Sequence, residues 1–185
     1  MKKLHLFLLV SIMLGASFLA SANEVVLAEN GQSNYRIVIA EDAASAVKYA
    51  AEELAYFLGE ISGAEFVVAN DSSAAGEFEF LLGETNRNLP QTEALKPEVI
   101  EGYSLLVQEK KIQIKGAGPR ATLYGVYDFL DQDLGIRFLA FDYTHIPKQK
   151  SIKIKLQPRK YDPPLDYRNI ISCGDVSELE SRWAA

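Results

Sequence analysis

The chain has 185 residues, of which 48% are apolar and 24% charged, and its formal net charge is −6. That suffices for one domain with its own core and is ordinary globular composition. No run of five basic residues occurs, which argues against a nucleic-acid partner, and one cysteine leaves no internal disulfide framework.

The N-terminus reads as a secretory signal. Lys2 and Lys3 precede the apolar run "LHLFLLVSIMLGASFLA", and Ala20, Ser21 and Ala22 supply the small residues that cleavage requires. Cleavage is expected after Ala22, which makes Asn23 the first mature residue and the protein secreted or periplasmic. An uncleaved anchor is the rival reading, but the run is slightly short for a span and carries Ser11, Gly15 and Ser17. No cysteine follows the run, so a lipoprotein anchor is excluded, and no stable membrane span is expected after cleavage.

"EVVLAENG" from Glu24 predicts a first strand ending in a turn, and "YRIVIA" from Tyr35 a second. Asp42 is expected to cap a helix through about Gly59, with Gly63 as its stop. Val47, Ala50, Ala51, Leu54, Leu58 and Ile61 recur at three- and four-residue spacing, one apolar face. "EFVVA" and "FEFLLGE" predict two further strands. Residues 85 to 100 are polar with Pro90 and Pro97 and read as a loop. "GYSLLVQEKKIQIKG" predicts a hairpin turning near Glu109 and Lys110. A helix from Pro119 to about Leu134 follows, stopped by Gly135, with its buried face on Leu123, Val126, Tyr127, Leu130 and Leu134. "IRFLA" and "SIKIKLQ" are the last two strands. Two helices among about seven short strands predict an α+β fold, a two-layer sandwich with both helices on one face of a mixed sheet.

The segment "GAGPRATLYGVYDFLDQDLG" sets a Gly-rich turn between a strand and a helix, the order used by phosphate loops. Its details oppose that function. There is no GxxxxGK[ST], the third glycine of the dinucleotide fingerprint is missing, and Pro119 removes a backbone donor. Pro at the first helical position is a common structural start. Gly125, inside a helix, implies a close approach to the sheet beneath. Arg120 sits where the helix dipole disfavours a cation, so a neighbouring acid or carbonyl is expected to pair with it. Asp131 and Asp133, near the helix C-terminus, have no local account beyond solvation.

"GAGPRATLYGVYDFLDQDLGIRFLAFDYTHIP" resembles the α-glucuronidase N-terminal domain of glycoside hydrolase family 67, a domain type that also precedes the barrel of β-hexosaminidases. Pro119, Arg120, Tyr124, Gly125, Tyr127, Leu130, Gly135, Phe138 and Pro147 match the pattern, and Ala121 stands where a glycine is usual. The resemblance includes "SAVKYAAEELAYFLGEISGAEFVV" and spans roughly residues 24 to 170. It implies a non-catalytic accessory domain, with the acid/base carboxylates in a following (β/α)8 barrel. That barrel is then the expected partner, with polysaccharide as a second partner class.

The implied organisation is a signal peptide over 1–22, an accessory domain over 23–157, and a connector with the start of a barrel over 158–185. "LDYRNII" is similar to the first barrel strand of the hexosaminidase relatives, where an arginine contacts the sugar. Arg168 takes that position and is the substrate-binding candidate; a strand-end salt bridge is its structural alternative. Asn169 replaces the usual glycine, and Cys173 and Asp175 do not reproduce the family's acid. Ser177 and Glu180 form a capping box for a helix that stops at Ala185, so the chain reads as cut before its barrel. An exposed apolar face around Leu165 to Trp183 follows from that reading.

No catalytic residue, metal ligand or cofactor site is expected. His145 and Cys173 are the one histidine and one cysteine past the leader, and no pair among 25 acids is singled out. The alternatives are an autonomous carbohydrate-binding module using Tyr143 and Arg168, and a complete small hydrolase.

Overall fold

The computed structural model describes residues 23–90 and 101–164. The leader, Arg168, Cys173, the capping box and the Leu165–Trp183 face lie outside the described residues. The elements in chain order are β1 (Asn23–Ala28), β2 (Arg36–Ile39), α1 (Ser45–Ser62), β3 (Val67–Asn70), β4 (Glu79–Leu82), β5 (Tyr103–Gln108), β6 (Lys111–Gly116), α2 (Pro119–Gln132), β7 (Arg137–Ala140), β8 (Tyr143–His145), β9 (Ile152–Leu156) and β10 (Arg159–Tyr161).

Six strands form one mixed sheet in the order β10-β5-β6-β4-β2-β3. β3, β2, β4 and β6 run parallel, and β5 and β10 close the other edge antiparallel. Both helices cover one face, so the α+β two-layer arrangement is as expected. Alternation along the strands explains it: Ile37, Ile39, Phe80, Leu82, Leu105, Ile112 and Ile114 point toward the helices and share one core with Leu54, Leu58, Val126 and Phe129.

The sheet is divided differently from the expectation. β1 and β9 pair only with each other, and β7 and β8 form a separate two-stranded hairpin. Residues 159–161, expected in the connector, are the edge strand of the main sheet, paired with β5. Asp42 does not cap α1. The helix starts at Ser45 after Ala44, with no side-chain cap, because Asp42 lies in the preceding turn. The six expected apolar positions of α1 are all buried, and Phe57 joins them. On α2 the buried face is rotated from the expectation: Ala121, Gly125, Val126, Phe129 and Leu130 are buried, whereas Leu123 and Tyr127 are half-buried. Gly63 and Gly135 end the two helices at φ +76° and +73°, conformations that L side chains rarely adopt.

The Gly-rich turn works by contact. A β-carbon on Gly116 would lie 2.3 Å from the Thr122 backbone nitrogen, and one on Gly125 would lie 2.7 Å from Ile114 Cγ2 and 3.2 Å from the Tyr103 ring. The Gly116 amide donates to Thr122 Oγ1 at 3.0 Å. α2 therefore lies directly on β5 and β6.

The opposite face of the sheet is locked by charge. Glu79 is fully buried and is the one buried charged side chain among the described residues. Its Oε1 accepts from Arg36 Nε at 3.0 Å, Arg87 Nη1 at 2.7 Å and the Gly76 amide at 2.7 Å, and Lys111 Nζ stands 3.4 Å from Oε2. The two arginines also donate to the carbonyls of Asp71, Ser73 and Ala74. One carboxylate thus fastens two loops to β4. Gln113, also fully buried, holds the second loop through Asn88 and the Leu89 amide. Burial alone would raise the Glu79 pKa, but the Gly76 amide and the three cations outweigh it and hold the carboxyl below its ordinary 4.5.

Two outcomes follow for urea unfolding. Gly125→Ala should destabilise the domain by about 1–3 kcal/mol through overpacking. Gly116→Ala should cost more, because it meets backbone that cannot turn aside. An unchanged midpoint in either variant would refute the close-approach account. Glu79→Gln should destabilise by about 3 kcal/mol at neutral pH, by leaving cations without their partner. A depressed folded pKa gives stability that is complete above the unfolded pKa and is lost as pH falls through the folded one. The gap between wild type and Glu79→Gln should therefore hold steady above about pH 4.5 and narrow below it; a gap that widens in acid would contradict this.

Candidate functional site

Two surfaces qualify for inspection, one at the helix starts and one at the hairpin. The first is a cleft of about 590 Å³ at the carboxyl ends of β2, β4 and β6, where both helices begin. Asp42, Ala43, Ala44, Glu84, Lys115 and Gly118 are among its lining residues. Crevices at that end of parallel strands often take ligands, and neither helix here has a side-chain cap. Its charges do not suit an anion. Lys115 is paired with Glu84, and Asp42 adds a second carboxylate. Pro119 has no amide proton to donate, and the Thr122 amide is taken by the Gly118 carbonyl at 3.2 Å. The turn packs a helix onto the sheet, as its sequence suggests.

The second surface is the β7–β8 hairpin. All four residues of β7 are exposed. Phe138 anchors it, meeting Phe57 of α1 edge-on at 5.6 Å and Tyr127 of α2 at 5.3 Å. Tyr127 is fixed in turn by donating its hydroxyl to Glu53 Oε2 at 2.7 Å. Burial, then the Glu53 and Tyr49 contacts, push the Tyr127 phenol well above its usual pKa, so it stays a donor at every physiological pH. Arg137 ties the base of β7 to Asp131, donating to Oδ1 at 2.6 Å. Beyond this anchor the hairpin presents Leu139, Phe141 and Tyr143, at 63%, 95% and 56% exposure. Exposed apolar side chains on an anchored support make the hairpin a candidate interaction surface.

The helix charges that lacked a local account now have partners. Arg120 reaches Glu101 at 3.1 Å, an acid from a neighbouring segment, as expected. Asp131 pairs with Arg137, and Asp133 with Arg159 at 2.5 Å. Arg159 also grips Asp128 through Nε at 2.9 Å and Nη2 at 2.8 Å, which fastens β10 to α2. These pairs join residues 6 to 31 apart in sequence, so no i,i+4 pattern reveals them. His145 lies in β8 and is exposed. No group of three or more potential metal ligands occurs among the described residues, and no helix among them is long and apolar enough to cross a membrane.

The profile described as glycosyl hydrolase family 67 N-terminus matches residues 21–129, more than half of the sequence, and the chain belongs to that family. Three solved structures are similar to it more distantly. A GH115 4-O-methyl-α-glucuronidase with specificity for decorated arabinogalactans is 15% identical, with 77% of this chain and 19% of that one covered and a TM-score of 0.49. The GH20 β-N-acetylhexosaminidase from Streptomyces coelicolor A3(2) is 15% identical over 78% and 26%, with a TM-score of 0.47. A chitobiase from Flavobacterium johnsoniae is 18% identical over 72% and 19%, with a TM-score of 0.39. The match thus spans between 19% and 26% of the length of these proteins. A comparison with curated proteins finds no sequence match.

Phe138 anchors the hairpin, and Leu139 and Tyr143 stand out from it. Phe138→Ala should lower stability by about 1–2 kcal/mol, because it loses two aromatic contacts and their buried area. Leu139→Ser with Tyr143→Ser should stay within about 0.5 kcal/mol of wild type. Thermal denaturation of the isolated chain checks both, and a large loss in the double variant would show that these side chains serve the fold.

Proposed function

We propose that this chain is the N-terminal accessory module of a secreted, α-glucuronidase-like, carbohydrate-degrading enzyme, and that catalysis resides in a barrel that follows it. The observation that carries the reading is the hairpin: Leu139 and Tyr143 are held out on an anchored support that the domain's own core does not use. Membership of a family defined as the N-terminal part of glycosyl hydrolases supports the catalytic module of the same enzyme as the occupant. The module's work is then mechanical. It covers apolar surface of the barrel and fixes its position, and it places no acid or base at the scissile bond. The leader-like first 22 residues support secretion, and Arg168 is proposed to belong to the first strand of the barrel, facing the sugar.

The reading is tested at the source locus and in the intact enzyme. The reading frame should continue past codon 185 into a barrel carrying two catalytic carboxylates. In that full-length protein, Leu139→Ser with Tyr143→Ser should lower the thermal midpoint, although the same pair leaves the chain alone unchanged. The purified chain should hydrolyse no aryl glycoside or glucuronoxylan. Turnover by the chain itself, or a frame that ends at codon 185 with the protein secreted at that length, would overturn the proposal.

A further inference from the structure

We propose that the depression between β10 and the first turns of α2 binds a pyranose unit of a polysaccharide. It measures about 550 Å³ and is lined by Glu101, Tyr103, Tyr124 and Tyr161. Tyr161 stands opposite Tyr103 in the β10–β5 ladder, and their rings stack at 5.2 Å with 27° between planes. Tyr124 lies one helical turn beyond Arg120, whose guanidinium sits over the Tyr124 ring at 6.0 Å and 3.1 Å from Glu101. Tyr124 and Tyr161 remain 37% and 38% exposed.

A pyranose ring has an apolar C–H face and a rim of hydroxyls. Exposed tyrosine rings match the face. Phenol hydroxyls, a carboxylate and a guanidinium match the rim with both donors and acceptors. A phosphate would meet Glu101 beside Arg120. The floor is held before any ligand arrives: the Tyr103 ring is buried beneath Gly125 of α2, and Asp128 beside it is held by two nitrogens of Arg159. A rigid platform loses little freedom on binding. Burial, followed by Asp128, also raises the Tyr103 pKa, which keeps the hydroxyl protonated. The chain continues from this spot through Asp162 to Pro164, so a glycan held here lies beside the start of whatever follows.

The ligand class draws on the reading of the chain as part of a carbohydrate-degrading enzyme, but the test is separate from that of the docking role. The ¹⁵N-labelled full chain as secreted is titrated with xylohexaose, cellohexaose and chitohexaose, and amide shifts are followed. Shifts should cluster around Tyr103, Arg120, Tyr124 and Tyr161 with at least one of the three. Tyr124→Ala should weaken that binding about tenfold while core amides keep their positions. Arg120→Met, a substitution on an exposed side chain, should weaken it as well. Shifts with none of the three probes, shifts confined to the hairpin, or nuclear Overhauser contacts from residues 165–185 onto the Tyr124 and Tyr161 rings would each overturn the proposal. The last outcome would identify the chain's own continuation as the occupant.

Discussion

Everything on the helix layer depends on how closely α2 approaches the sheet. Gly116 and Gly125 remove the two β-carbons that would hold it away, and the helix rests on Ile114, Tyr103 and the backbone of β6. That contact fixes its height and rotation together. Its exposed flanks then carry side chains at set places: Arg120 and Tyr124 toward β10, Tyr127 toward α1 and the hairpin, Asp128 and Asp133 toward Arg159. A helix held further out would present the same residues without their partners. The glycines are therefore structural at one remove from function, since they place the surfaces without touching any ligand.

The two faces of the sheet are stabilised by different physics. The helix side is a dry apolar core in which area removed from water dominates. On the far side, loops are tied by Glu79 and Gln113, both fully buried and both hydrogen-bonded. Loops cannot supply an alternating apolar pattern, so directional bonds to buried polar groups do the fastening instead. Removing either partner of such a bond leaves a desolvated group behind, which makes these positions sensitive out of proportion to their number.

The hairpin and the tyrosine depression both belong to the periphery of α2 and differ in kind. The hairpin is apolar and braced by Phe138 against both helices. The depression mixes tyrosine rings with one acid and one base, and suits a hydroxylated ligand. Under the proposed function the two surfaces divide the work: the hairpin steadies the catalytic fold, and the depression offers the polymer a contact next to the connector. Membership of the glycosyl hydrolase family 67 N-terminus makes such a division of labour chemically coherent.

The sequence by itself determined the two helices, most of the strands, the hairpin turn near Glu109 and the packing role of the Gly-rich segment. These follow from local rules: apolar spacing of three and four along α1, alternation along β5 and β6, and proline and glycine where a helix starts and stops. It did not determine which strands share a sheet, nor that residues 159–161 rejoin it, because pairing is a long-range property and three residues carry no periodicity. Nor did it show the buried Glu79, whose charged side chain reads as solvated until Arg36, Arg87 and Lys111 are brought around it from positions 8 to 43 residues away or from the next strand. The tyrosine depression is of the same sort. Tyr103, Tyr124 and Tyr161 lie far apart along the chain, and only the β10–β5 pairing and the seat of α2 bring them together. Local periodicity encodes elements, whereas the meeting of distant side chains is decided by the packing that folding completes.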